Sequence, residues 1–218
     1  LLYRFARRVA AYTFLGLLSI ISTATRRPFI IIASQFGNLG NRLFLYANVI
    51  SFAIEHKAIV INPAFHPWRG LFHGSRAGAV ACFPTQRAPH FSWDGIEHLI
   101  QQIAWASESI SRSSFSSSKW ASIRINDSKE MSHEMVNMSK PIFSNWAKQK
   151  HVLILSGYLF LSDRLMQLHV NKLISYFSQL EGNTTKALEP IRILREENDL
   201  VIGPVSYTHL TLPTNREV

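Results

Sequence analysis

A single cysteine, Cys82, in 218 residues excludes an internal disulfide, and no second cysteine stands near it to build a cysteine-based zinc site. Its expected place is in a core, as a small apolar side chain. Acid is scarce too: 14 Asp and Glu face 23 Lys and Arg, and residues 1–27 contain five arginines and no acid. Five of the nine net positive charges thus belong to that stretch. The rest are scattered, without the basic stripe interleaved with aromatics that nucleic-acid binding requires, so nucleic acid is not an expected partner. Metal-ligand spacing is also missing. His73, His90, His98 and His133 show no metal-ligand spacing with acids or with one another, so no metal site and no cofactor are expected. Asp94 and Glu97, three apart, read as the solvated face of a helix, and no catalytic base can be nominated.

What the chain does have is apolar content, 47%, enough to bury one good core. Its first uncharged stretch is Val9–Ala24, sixteen residues with arginines on both sides (Arg4, Arg7, Arg8; Arg26, Arg27). A bilayer crossing wants about 20 residues. The stretch therefore reads as an interfacial helix with its arginines at anionic headgroups, as a signal anchor, as a cleaved signal peptide, or as a helix packed on the neighbouring domain. Membrane association, on the cytoplasmic face, is the expectation, with a secretory-pathway signal anchor as the alternative.

The richest segment lies between two β-branched runs. Phe29-Ile30-Ile31-Ile32-Ala33 suits a strand covered on both faces. After Phe36-Gly37-Asn38-Leu39-Gly40-Asn41-Arg42, apolar residues recur at helical spacing (Leu43, Phe44, Ala47, Val49, Ile50, Phe52, Ala53, Ile54), and Ala58-Ile59-Val60-Ile61 comes next as a second strand. This is a βαβ unit, and the fold class is α/β. Glycines at 37 and 40 permit positive φ and close approach of a ligand, while the first N–H groups of the helix favour an anion. Asn41 could donate to a phosphate or sugar oxygen and Arg42 could add charge. In the plainer reading the turn joins strand to helix and Asn41 is its cap.

Gly37-Asn38-Leu39-Gly40-Asn41-Arg42-Leu43-Phe44-Leu45-Tyr46-Ala47 resembles the N-terminal signature of the α-1,2-fucosyltransferases of glycosyltransferase family 11, Gly-Gly-Leu-Gly-Asn-Gln-Met-Phe followed by Tyr-Ala. The Leu-Gly-Asn triplet, the Phe and the Tyr-Ala pair are in register; Asn38 and Arg42 depart from it. A second block, the strand His151–Ser156 with Gly157-Tyr158, Phe160 and Asp163, is similar to the family's Gly-Tyr-Phe-Gln-Asp block. The resemblance implies a Rossmann-like lobe of a two-lobed, GT-B-like nucleotide-sugar transferase. It also implies inverting transfer of L-fucose from the donor substrate GDP-fucose to a hydroxyl of an acceptor glycan, without an essential metal. Gly37, Gly40, Asn41 and Arg42 are then the expected substrate-binding residues. Tyr158 and Asp163 could equally be structural.

The family's His-x-Arg-Arg-Gly-Asp-Tyr motif, whose arginine clamps the donor phosphate, does not occur in these 218 residues. Asn198-Asp199-Leu200-Val201-Ile202-Gly203 resembles the strand that leads into it. Where the motif would stand, the segment Val205–Val218 resembles instead the translation of a transposase-type sequencing adapter. These two resemblances, with Leu1 in place of Met, imply a truncated transferase that is inactive by itself. The expected organisation is an N-terminal segment over residues 1–27, a partial transferase domain over 28–204 and an artefactual or disordered tail over 205–218. The alternative function is a non-catalytic, membrane-associated phosphate- or glycan-binding module.

From Asn62 to about Val152 the sequence reads as loop-rich, with a helix expected over residues 93–107 and a solvated Ser-rich loop over 107–118. Phe65, His66 and Trp68, just beyond the second strand, could stack on an acceptor sugar or simply pack their loop.

Overall fold

The computed structural model describes residues 2–33, 38–76, 80–85, 102–107, 120–124, 136–157 and 160–178, with side chains at all of these except 2–4, 66, 67, 124 and 142. All of them fall in the compact unit Leu1–Leu180. In chain order they form α1 (Leu2–Thr25), β1 (Phe29–Ile32), α2 (Leu39–Glu55), β2 (Ile59–Asn62), a 3-10 helix (Pro63–Leu71), α3 (His73–Arg76) and β3 (Ala81–Phe83). A helical segment over residues 102–107, α4, comes next. Then come β4 (Trp120–Arg124), β5 (Val136–Asn137), α5 (Pro141–Gln149), β6 (Val152–Ser156), β7 (Phe160–Leu161), α6 (Asp163–Leu168) and α7 (Val170–Phe177).

The main sheet has the order β3-β2-β1-β6-β4. β1 runs parallel to β2 and β6, and β4 parallel to β6; only β3 is antiparallel, to β2. Side chains alternate between the faces of a strand, and here both faces are covered. Ile30, Ile32, Val60, Leu153 and Leu155 join a core with α2 residues Tyr46, Val49, Ile50 and Phe52, and with Phe143, Leu173 and Tyr176. Phe29, Ile31, Ile59, Val152 and Ile154 join the opposite core with Ala11, Leu15 and Leu18 of α1 and Ala104 of α4. The chain is therefore an α/β protein with a mostly parallel sheet between helical layers.

Connection handedness accounts for which helix covers which face. The steps from β1 to β2 and from β4 to β6 run the same way across the sheet, and their helices α2 and α5 share one core. The passage from β2 to β4 runs the other way, and its helix α4 lies in the other core, as right-handed crossovers require.

Several elements differ from the sequence expectations, whereas α1, packed on the sheet, takes the last of the readings given for its segment. The supposedly loop-rich middle supplies a nine-residue 3-10 helix and two strands of the main sheet, β3 and β4. The helix expected over 93–107 is seen over 102–107, residues 93–101 lying outside the described residues; Ser107, expected at the start of a solvated loop, is buried. The second block leads into two short helices, α6 and α7, separated at His169. Cys82 lies in β3, half-buried.

Helices α1 and α2 end alike. Arg26 and Lys57 take φ of 54° and 53°, and the next N–H reaches back to a carbonyl, Arg27 to Ser22 at 3.3 Å and Ala58 to Ala53 at 2.8 Å. These are αL terminations in which a basic residue occupies the position glycine usually fills. Arg27 Nε donates to the Lys57 carbonyl at 3.0 Å, tying the two turns together.

Candidate functional site: the carboxyl edge between β1 and β6

The carboxyl ends of β1 and β6 are neighbours. From β1 the chain passes through α2 to β2; from β6 it leaves the main sheet for β7, which pairs with β5, and goes on to α6 and α7, whose core is the one α2 shares. Ligands of open α/β sheets bind outside the carboxyl ends of the strands. The ladder continues one residue past β1, with Ala33 N–H bonded to the Leu155 carbonyl at 2.8 Å. On the β6 side, Gly157 comes next with φ of 119°, a backbone region that glycine adopts without strain.

Residues 34–37 connect β1 to α2 and lie outside the described residues, and Gly37 with them. Asn38 is the N-cap of α2, in extended conformation, and its side chain makes no capping hydrogen bond. Leu39, Gly40 and Asn41 form the first turn, whose N–H groups have no intrahelical carbonyl to meet. Gly40 and Asn41 are exposed. A Cβ at Gly40 would meet nothing within 4 Å, so packing does not require glycine there. The helix nevertheless forgoes roughly 1 kcal/mol relative to alanine.

Arg42 is turned toward the segment beyond β2. Its Nη1 donates to the Ala64 carbonyl at 2.6 Å, and its guanidinium carbon sits 4.3 Å from the centre of the Trp68 ring. Burial lowers the Arg42 pKa from its ordinary value. The side chain thereby fastens the first turn of α2 to the 3-10 helix, where stacking on an indole suits a guanidinium.

Of the aromatic candidates, Phe65 is fully buried among Tyr46, Trp68, Phe72 and Phe177, so it packs the loop; Trp68 carries Arg42. His66 has no described side chain, and Tyr158 lies outside the described residues. Asp163 is exposed in the first turn of α6. Among the described residues no group of three or more His, Cys, Asp or Glu could hold a metal ion.

Two asparagines were not legible as site residues in the sequence. Asn62 ends β2 on the same carboxyl edge; it is 2% exposed, and among the described residues its Oδ1 accepts no hydrogen bond. A buried acceptor left so costs about 1–3 kcal/mol. Asn48, fully buried in α2, accepts from the Ser162 N–H at 2.6 Å, while its carbonyl accepts from Ser162 Oγ at 2.7 Å. It locks the start of α6 to α2. A polar residue inside the apolar run of α2 was the available signal for Asn48.

No protein-family profile, no curated protein and no solved structure matches this chain.

Proposed function

We propose that this chain is the N-terminal α/β lobe of an inverting glycosyltransferase that moves L-fucose from GDP-fucose to a hydroxyl of an acceptor glycan. The parent fold in this reading is the two-lobed, GT-B-like arrangement of the α-1,2-fucosyltransferases that the sequence resembles. One observation carries it: the Leu39-Gly40-Asn41 triplet of the resemblance falls on the open first turn of a helix at the carboxyl edge of a mostly parallel sheet. Phosphate is favoured at such a turn by free N–H groups and the helix dipole.

In the transfer, the bond between fucose C1 and the β-phosphate oxygen breaks with its electron pair going to GDP. The acceptor oxygen forms the new bond to C1 and gives up its proton. The turn bearing Gly37, Gly40 and Asn41 would hold the diphosphate while charge grows on it, Arg42 would set the turn against the loop after β2, and Asn62 Oδ1 would accept from a donor hydroxyl. The clamping arginine is not among these 218 residues. Binding, rather than turnover, is therefore the measurement to make. The protein is placed by the same reading at the cytoplasmic face of a membrane.

Calorimetric titration with GDP, GDP-fucose and UDP tests the proposal. Saturable binding of GDP and GDP-fucose, weaker binding of UDP, and about a ten-fold loss in Asn41→Ala support it. Equal affinity for all three, or none, overturns it. The missing clamp motif favours one second reading, a non-catalytic phosphate- or glycan-binding module. That module would bind inorganic phosphate or a fucosylated glycan without preference for guanine.

A further inference from the structure

Helix α1 is long and apolar enough to cross a membrane by length and composition. Its inner face is already committed. Ala11 and Leu15 are fully buried and Leu18 nearly so, against Phe29, Ile31, Val152 and Ile154 of the sheet. Polar ties reinforce the packing: Trp120 Nε1 donates to Ser19 Oγ at 2.7 Å, and His151 Nδ1 lies 3.2 Å from both the Ser19 carbonyl and Thr23 Oγ1. A spanning α1 would strip Phe29, Ile31, Val152 and Ile154 of the cover that Ala11, Leu15 and Leu18 give them. Cleavage after Ala24 would do the same.

The outer face is different. Phe5 and Ile20 are each 67% exposed, Leu17 is 54% exposed, and Val9 and Ile21 also face solvent. No charged residue interrupts α1 between Val9 and Thr25, and residues 1–27 contain no acid. Cations gather at its two ends. Arg8 is exposed near the start, and at the other end Arg26, Lys148 and Lys150 line one groove of about 310 Å³ with no carboxylate. An apolar strip with positive charge at both ends is complementary to an anionic lipid surface, whose acyl boundary takes the strip and whose phosphates take the cations.

We infer that α1 docks the folded protein in the plane of an anionic bilayer, its inner face roofing the sheet and its outer strip entering the headgroup layer. The inference rests on the membrane half of the proposed function and is independent of the donor.

The test is sedimentation of the full chain with phosphatidylcholine vesicles, with and without phosphatidylserine. It is run alongside light scattering of the free chain, alkaline carbonate extraction and GDP titration. Leu17→Ser/Ile20→Ser and Arg8→Glu/Arg26→Glu alter exposed positions only, and circular dichroism verifies that both variants fold. Binding is expected to need phosphatidylserine, to be released by salt and by carbonate, and to fall at least about ten-fold in the serine pair and about five-fold or more per reversed arginine. Binding that ignores the serine pair overturns the inference while leaving a membrane role through another surface. Resistance to carbonate means that α1 spans, and a dimer dissolved by the serine pair means that the strip meets a second copy; either overturns the inference. Absence of vesicle binding overturns both the inference and the membrane reading, and GDP binding then stands or falls by itself.

Discussion

Tyr46 sits at the centre of α2 with no exposure, and its hydroxyl is satisfied by Tyr176, 130 residues away, at 2.8 Å. Tyr176 gives its own proton to the Cys82 carbonyl, also at 2.8 Å, so Tyr46 is the donor to Tyr176. α3 lies directly on this pair: a methyl group at Gly74 would clash with the Cδ2 edge of the Tyr176 ring. Tyr176→Phe should cost about 1–3 kcal/mol, because it removes the acceptor of the buried Tyr46 hydroxyl and one donor to the Cys82 carbonyl. Tyr46→Phe removes only a donor and should cost less, and the double variant should cost less than the sum. Burial raises both phenol pKa values. Their contribution to stability is thus complete below the unfolded-state value of about 10 and is lost as pH rises above it, where free tyrosines ionise and these two resist. Urea midpoints measured on both sides of that pH should fall steeply for the native chain and less for Tyr46→Phe/Tyr176→Phe. In the sequence Tyr46 was visible as half of a Tyr-Ala pair; its partner was not, since no local pattern links α2 to α7.

At the scale of elements, legibility followed periodicity. β1, α2 and β2 were readable because a four-residue apolar run, a 3.6-residue repeat and a second run stand side by side. β4 was not, because Trp120-Ala121-Ser122-Ile123-Arg124 is neither alternating nor continuously apolar and owes its place to pairing with β6. The candidate turn was legible in Gly40 and Asn41. The anchoring of Arg42 was not, since it depends on how the 3-10 helix returns after β2. Gly40→Ala separates ligand approach from a plain turn. With nothing within 4 Å of the added methyl, the variant should gain up to about 1 kcal/mol in chemical denaturation. If a diphosphate lies against that backbone, GDP affinity should drop at least about ten-fold in the same protein. Added stability with unchanged affinity would leave the turn structural.

The whole molecule is organised by which surfaces the sheet must hide. Strands buried on both faces need two helical layers, a requirement that the β-branched runs announce, but the sequence does not say which helix supplies the second layer. Residues 1–27 looked separable because charge and hydropathy set them apart; packing joins them to the sheet through Ala11, Leu15 and Leu18. Removing them should therefore do more than release the protein from a surface. Burial of each leucine is worth about 1.5–3 kcal/mol, and Phe29, Ile31, Val152 and Ile154 would lose their cover at the same time. A domain of this kind is stable by only about 5–15 kcal/mol, so the loss is comparable with the whole. A chain beginning at Pro28 should show no cooperative thermal transition and should bind a hydrophobic dye. The full chain carrying Leu17→Ser/Ile20→Ser, altered only on the outer strip, should unfold cooperatively at nearly its native temperature. A cooperative transition in the shortened chain would make α1 an accessory to the fold, and its contact with the sheet would no longer argue against a spanning helix.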